Sequence, residues 1–303
     1  MAILKVRGVL FTYTQGTFRW SKSLNWTRTR SSLASILTLL QGLISGKWNY
    51  RGADLRDADL TGANLTGANL GGSDLRGANL SRTILREANL GHSNLEGANM
   101  TAAQFGSELR STAANLESCN LANANLSHAD FRRVMMSNSN LSNSRLEGTN
   151  LSYTDMHSSD LTNVFAQGCR MIKSNLSNSK LNDSDFRDSH LNGAMFLESD
   201  LSNINLESVR NDGFSVINLA NFDDANMKGA KMRNVLAEDC RMRGTNLTDA
   251  DLSHAVMSGS ILRRAIVTNA NFDDVELATV TMTFANFSQA LNADIPSYVR
   301  DLR

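Results

Sequence analysis

Residues 51–80 read RGADLRDADLTGANLTGANLGGSDLRGANL, and the reading of this stretch decides the fold. The period is five. Leu returns at Leu55, Leu60, Leu65, Leu70, Leu75 and Leu80, with a small residue two places before it, as at Ala53, Ala58, Ala63 and Ser73. Asp or Asn lies between the two, as at Asp54 and Asn64, and polar residues or Gly fill the last two places. Outward from this stretch the central residue continues through Leu85, Leu90, Leu95, Met100 and Phe105. The frame slips by one residue before Leu116 and holds from there to Val216. It slips by one again between Val216 and Phe222, and a third block ends at Phe287. Leu55 to Phe287 then holds 47 five-residue slots, counting one irregular slot at Leu109; Ala166, Asn211 and Ala237 are poor central residues.

A period of five matches neither the 3.6 of a helix nor the 2 of a strand. It requires a chain that turns a corner every few residues and returns its apolar residue inward each time. The pattern A-(D/N)-L-x-x resembles the pentapeptide-repeat family over about four-fifths of the chain. That resemblance implies an all-β solenoid, a right-handed quadrilateral parallel β-helix with four pentapeptides per coil and about 12 coils, with a central residue and a small residue facing inward. At a strand spacing of ~4.8 Å the rod would be roughly 55 Å long. Pro is absent before Pro296, as expected where every coil donates N–H groups to its neighbour. Gly62, Gly67, Gly72, Gly77 and Gly97 close their units, where a corner calls for positive φ.

The flanks differ in kind, which divides the chain into residues 1–47, 48–289 and 290–303. Residues 1–47 carry seven basic residues and no acid. Residues 32–44 suit a short helix with Leu33, Ile36, Leu40 and Leu43 on one face and Ser31 or Ser32 as its cap. Val9 to Trp20 suits a short hairpin. An open β-helix end exposes apolar core and unpaired edges. Residues 1–47 are therefore read as a cap, with a targeting or secretion segment as the alternative. Leu291, Ile295, Tyr298, Val299 and Leu302 suit a cap at the other end, where a homodimer contact stays open.

Composition excludes several classes. The 303 residues hold 30 basic and 30 acidic side chains, which argues against direct nucleic-acid binding. Three Cys at this length do not make a disulfide scaffold. No apolar run approaches the ~18 residues of a membrane span. His92, His128, His157, His190 and His254 all fall at outward positions without metal-ligand spacing. Cys119, Cys169 and Cys240 take the small inward position and read as buried fillers. Asp223-Asp224 and Asp273-Asp274 lie on a solvated wall, where nothing would split their pKa values. No phosphate loop or nucleophile elbow occurs. The N-x-S/T triplets, such as Asn64-Leu65-Thr66, are generated by the repeat itself. The expectation is no enzyme, no cofactor and no metal.

Taking four slots per coil and counting the Leu109 slot once assigns each charge to a face. One face collects Asp54, Asp57, Asp74, Glu96, Glu117, Asp155, Glu198, Glu238, Asp239 and Glu276, opposed only by Arg56 and Arg76. The preceding face collects Arg110, Arg132, Arg133, Arg170, Lys173, Arg210, Lys231 and Arg233 against six acids. Like charge along such a face can steer a partner. The functional expectation is a non-catalytic protein–protein interaction scaffold or adaptor, cytoplasmic or delivered as a bacterial effector, with an unknown protein partner. The alternative, implied by the quinolone-resistance branch of the family, is a DNA mimic that binds gyrase or topoisomerase. That role calls for a strongly acidic rod, which a neutral chain does not supply.

Overall fold

In a computed structural model, residues 49–208 and 215–297 are described in full, and residues 2–6, 9–14 and 17–21 as backbone. The chain divides into two compact units, Met1–Arg145 and Leu146–Arg303. The first begins with three strands, β1 (Ala2–Val6), β2 (Val9–Thr14) and β3 (Thr17–Ser21). They form an antiparallel meander in which Ala2 lies opposite Tyr13 and Leu10 opposite Ser21. The hairpin expected around Val9 to Trp20 is the β2–β3 pair, to which β1 adds a strand. The helix expected over 32–44 lies outside the described residues, as do Tyr298, Val299 and Leu302.

From Asn49 onward the first unit is a parallel coil. Its bridges join Asn49 to Asn69 to Asn89, Asp54 to Asp74 to Asn94, Asp59 to Asn79 to Asn99, and Asn64 to Ile84 to Gln104. An offset of twenty residues means that four pentapeptides complete each coil and give it four faces. The two middle residues of a slot make the ladder: Asp74 donates its N–H to the Ala53 carbonyl at 2.9 Å, and Leu75 donates to Asn94 at 2.7 Å. The corner follows. The next small residue donates back to the central carbonyl, as Ala78 does to Leu75 at 3.0 Å, and the last residue of the slot takes the left-handed conformation. Gly77 has φ 65° there, and Asn, which tolerates this region, supplies many of the other corners, such as Asn123 and Asn143.

Asp and Asn recur before the central residue for a second reason. The side-chain oxygen of Asn64 accepts the Thr66 N–H at 3.1 Å, and the amide of Asn99 donates to Asn79 on the preceding coil at 3.2 Å. Each such residue holds its own turn and the stack at once. The second unit repeats the plan with four ladders that start at Asn150, Asp155, Asp160 and Phe165.

Leu70, Leu75, Leu126, Leu181, Met227 and Leu252 are fully buried, and Ala166 and Ala237 are buried despite their small size. Each burial of a Leu-sized side chain contributes about 1.5–3 kcal/mol before the cost of ordering. Phenylalanines stack within the column: Phe105 on Phe131 at 4.5 Å and Phe196 on Phe222 at 4.9 Å. Phe287, in a 3-10 turn over Phe287–Gln289, tilts against Phe272 at 5.0 Å in the last coil. Several Ser at the small position are satisfied one coil back, as when Ser179 donates to the Met156 carbonyl at 2.9 Å, whereas the buried hydroxyls of Ser73 and Ser144 have no hydrogen-bond partner among the described residues.

The two frame slips are larger than a one-residue bulge. Asn89 bridges Asn115 and Asn94 bridges Asn120, an offset of 26. Ala114 donates to the Phe105 carbonyl, nine residues back, where other slots make this bond three residues back. Six residues between Phe105 and Ala114 are therefore extra to the coil, although the Thr112 carbonyl still accepts the Glu87 N–H at 3.1 Å. Leu109 is 64% exposed and is no slot, and Arg110–Thr112 forms a 3-10 turn. In the second unit, His190 bridges Val216 and Met195 bridges Asn221, again an offset of 26. The inward residue is Ile217, fully buried, and not Val216, so the second slip lies before Ile217. Asn211, expected as a poor central residue, lies outside the described residues.

Candidate functional site

At each of the two 26-residue offsets the chain gains six residues without adding a face, so each offset moves every later charge one further face from its expected place. In the first unit Asp54, Asp57, Asp74 and Glu96 do share a face. Glu117 does not: its slot stacks on that of Leu90, with His92 donating its N–H to the Glu117 carbonyl at 2.9 Å. In the second unit Asp155 and Glu198 belong to the ladder Asp155–Asn175–Met195–Asn221. Glu238, Asp239 and Glu276 belong to the ladder that runs Asn150–Arg170–His190–Val216–Leu236–Val256. The expected acidic wall is thus divided in each unit.

The basic wall divides too. Arg110 lies in the excursion, while Arg132 and Arg133 follow Asp130 on the Asn64–Ile84 face. Arg170 and Lys173 share a face with Glu238, Asp239 and Glu276. Lys231 and Arg233 stand on the Phe165–Asp185–Asn205–Lys231 face. Arg210 lies outside the described residues.

Much of the charge is also consumed locally. Asp and Arg on either side of a central residue point the same way, and they close a two-pronged pair. Arg56 grips Asp54 at 2.8 and 2.7 Å, and Arg76 grips Asp74 at 2.9 and 2.7 Å. The same Asp-x-Arg geometry joins Asp130 to Arg132 and Asp185 to Arg187. Arg132 also pairs with Glu108 of the excursion. The Arg76 guanidinium holds the Asp74 carboxyl below its ordinary pKa. The Asp-x-Arg spacing was readable in the sequence and halves the acidity of the Asp54 face.

Among the described residues the titratable groups do not converge on one centre. Cys119, Cys169 and Cys240 are buried, and burial pushes their thiols up to about 11, 12 and 12. Burial thus disfavours the thiolate form of each. His157 contacts Asp155 at 2.9 Å and His254 contacts Asp274 at 3.1 Å, both as outer pairs. Partial burial, and then the charge of Arg170 on the neighbouring coil, lower the pKa of His190. Among the described residues no three His, Cys, Asp or Glu side chains gather as a metal site, and no helix is long and apolar enough to cross a membrane.

Positions that elsewhere carry the Asn and Asp ladder carry Val216, Leu236 and Val256 on three successive coils of one face of the second unit. Val256 is exposed, and Val216 and Leu236 are half-buried. Beside them Leu219 is 65% exposed at a corner with φ 62°, a conformation that a leucine adopts rarely.

The family model described as pentapeptide repeats matches in 8 copies, over residues 49–77, 63–101, 112–148, 139–178, 169–207 and 220–264. The chain belongs to the pentapeptide repeat family, and membership implies the right-handed winding of its coils. No curated protein matches its sequence. Among solved structures it is similar to HetL, a pentapeptide repeat protein involved in heterocyst differentiation regulation from the cyanobacterium Nostoc sp. strain PCC 7120. Identity is 22% over 85% of this chain and 97% of that one, with a TM-score of 0.28. It is also similar to the pentapeptide repeat protein Rfr23 from the cyanobacterium Cyanothece 51142, at 22% identity over 45% and 82% of the two chains, TM-score 0.20. Full-length QnrB1, a plasmid-mediated fluoroquinolone resistance protein, matches at 12% identity over 80% and 94%, TM-score 0.22.

Proposed function

We propose that this protein is a non-catalytic interaction module, a scaffold or adaptor that offers flat outer faces to a protein partner. One observation carries the reading: the apolar ladder of Val216, Leu236 and Val256, with Leu219 at its edge, on a coil whose core is already sealed. Outward apolar residues contribute little to the coil, and they replace the Asn that would hold the stack. Such a patch fits a surface that becomes buried on association. The flat ladders present hydrogen-bonding groups and charges in fixed rows, and the buried thiols and paired carboxylates supply no reacting group.

The DNA-mimic reading is weaker than the sequence suggested. It needs a continuous run of unpaired negative charge, whereas the acids are split between faces and partly gripped by arginine.

The test replaces Val216, Leu219, Leu236 and Val256 together by Asn, the residue the repeat itself uses at such places. Wild type and variant are used to capture proteins from the source cell, with thermal unfolding as the control. A specific protein retained by the wild type and lost by an equally stable variant supports the reading. Identical captures from the two would overturn it.

A further inference from the structure

The face of the second unit next to the apolar ladder changes character along its length. Its upper coils carry Asp155, Glu198, Asp223 and Asp224. The next two carry Arg241 and Arg243, then Arg263 and Arg264, all exposed, and the last carries Thr281, Thr283 and Phe284. The bridges Asn221–Arg241, Arg241–Ile261 and Ile261–Thr281 fix this stacking. Arg243 therefore sits one coil above Arg263, and Arg264 one coil above Phe284. The Arg264 N–H donates to the Thr283 carbonyl at 3.0 Å, which confirms the register.

Only one of these guanidiniums is neutralised. Arg241 donates to Asp223 at 3.1 and 2.6 Å, and Asp223 also accepts the Arg243 backbone N–H at 2.9 Å. Among the described residues Arg243, Arg263 and Arg264 have no acidic partner. Instead, the Arg263 guanidinium lies 5.8 Å from the centre of the Phe284 ring. Phe284 is 70% exposed and has φ 62°. A bulky aromatic side chain in the left-handed region is a conformational cost without a core contact to offset it, a pattern associated with functional positions.

We infer that Arg243, Arg263, Arg264 and Phe284 form a docking site for an acidic peptide segment of a protein partner. This rests on the interaction-module reading and names a second face and the chemistry of what it binds. Planar guanidiniums suit the two oxygens of a carboxylate, and the ring offers an apolar surface beside them. The size of the patch selects a peptide. It spans two coils, about 5 Å apart, with one aromatic below. Asp223 and Asp224 bound it on the coil above, and Asp239 lies at the corner that leads into Arg241. A nucleic-acid strand, charged at every residue, would run onto these carboxylates. A few glutamates beside an apolar residue would fit within the rim.

The test is fluorescence anisotropy on the full chain. The probe is a labelled peptide with two glutamates on each side of a tryptophan. The same peptide with glutamine for glutamate, a short oligothymidylate and phosphatidylserine vesicles are compared with it. Wild type should bind the glutamate peptide in a salt-sensitive way and bind the other three more weakly. Combined Arg243→Gln, Arg263→Gln and Arg264→Gln should weaken binding at least about tenfold, while Arg82→Gln, an exposed corner residue of the first unit, should not change it. Phe284→Asn should weaken peptide binding while holding or raising the thermal midpoint, since Asn suits that corner; a merely structural Phe284 would lower the midpoint.

Equal binding of the glutamine peptide, unchanged binding by the triple variant, or tighter binding of oligothymidylate or vesicles would each overturn the inference. The Asn-substituted apolar ladder should still bind the glutamate peptide. If peptide binding is absent while ladder-dependent capture persists, the acidic-peptide site alone is refuted.

Discussion

Replacing Ile217 by Ala should damage the second unit far more than replacing its neighbour Val216 by Ala. Ile217 is fully buried. Its N–H donates to the Leu236 carbonyl at 2.8 Å, and its carbonyl accepts from Ala220 at 3.0 Å and from the Cys240 thiol at 3.1 Å. Those bonds survive truncation, so the loss is one of side-chain packing. Removing the apolar carbons of a core Ile and leaving an unfilled space costs about 2–5 kcal/mol. Ala237 lies one coil below and is too short to fill that space. Val216 projects outward, and its truncation should cost under about 1 kcal/mol. For a unit of this size each kcal/mol moves the thermal midpoint by roughly 2–4 °C. Circular dichroism melts should therefore show Ile217→Ala about 4–20 °C below wild type, with Val216→Ala within about 4 °C of it. A larger loss at Val216 would refute the placement of the excursion before Ile217. It would restore the frame in which Val216 is the central residue.

Other consequences are equally direct. Cys119, Cys169 and Cys240 should resist a thiol reagent at pH 8 in the folded protein and react together in denaturant, since burial pushes their thiols up to about 11 to 12; rapid reaction of any one in the folded state would contradict its placement. Gly62→Ala adds a Cβ that meets nothing within 4 Å, so only its φ of 65° is penalised, at about 1–2 kcal/mol, and Gly62→Asn should cost less; equal costs in urea melts would refute the corner argument. Hydrogen bonds from Arg76 to Asp74, and from Asn203 and Asn182 to Asp183, hold both carboxyls below their ordinary pKa. Because the folded values lie below the unfolded ones, this stabilisation is present above about pH 4 and is lost as pH falls through the folded values. Asp74→Asn should flatten that acid limb slightly, since the pair is partly exposed, and an unchanged limb would count against it.

The sequence made the column legible because inward packing is a local, five-residue property. Leu55 to Phe105, the buried cysteines and the corner glycines could each be placed from their own pentapeptide. Faces are a different matter, since they depend on position within twenty residues. The eleven residues from Phe105 to Leu116 fit two slots plus one residue, or one slot plus six, and the five-residue frame is the same afterwards. The alternatives differ by a quarter turn of every later face. At the second slip, adjacent apolar residues, Val216 and Ile217, made the inward one ambiguous as well. The expected charged walls depend on that count, and the two 26-residue offsets divide them between faces. The Leu236–Val256 and Arg243–Arg263 stacks follow from the twenty-residue period alone, whereas Val216 joins its ladder as an outward residue only because the second slip lies before Ile217.

Paired cysteines measure that register most directly. The structure stacks Asn94 on Asn120, whereas counting Leu109 as a slot would stack Asn94 on Asn115. Parallel neighbours lie about 4.8 Å apart, within the reach of a disulfide. Asn94→Cys with Asn120→Cys should oxidise readily to an intramolecular disulfide in the folded chain, and Asn94→Cys with Asn115→Cys should stay reduced. Crosslinking of 94 to 115, with none between 94 and 120, would contradict the coil that every assignment of a face depends on.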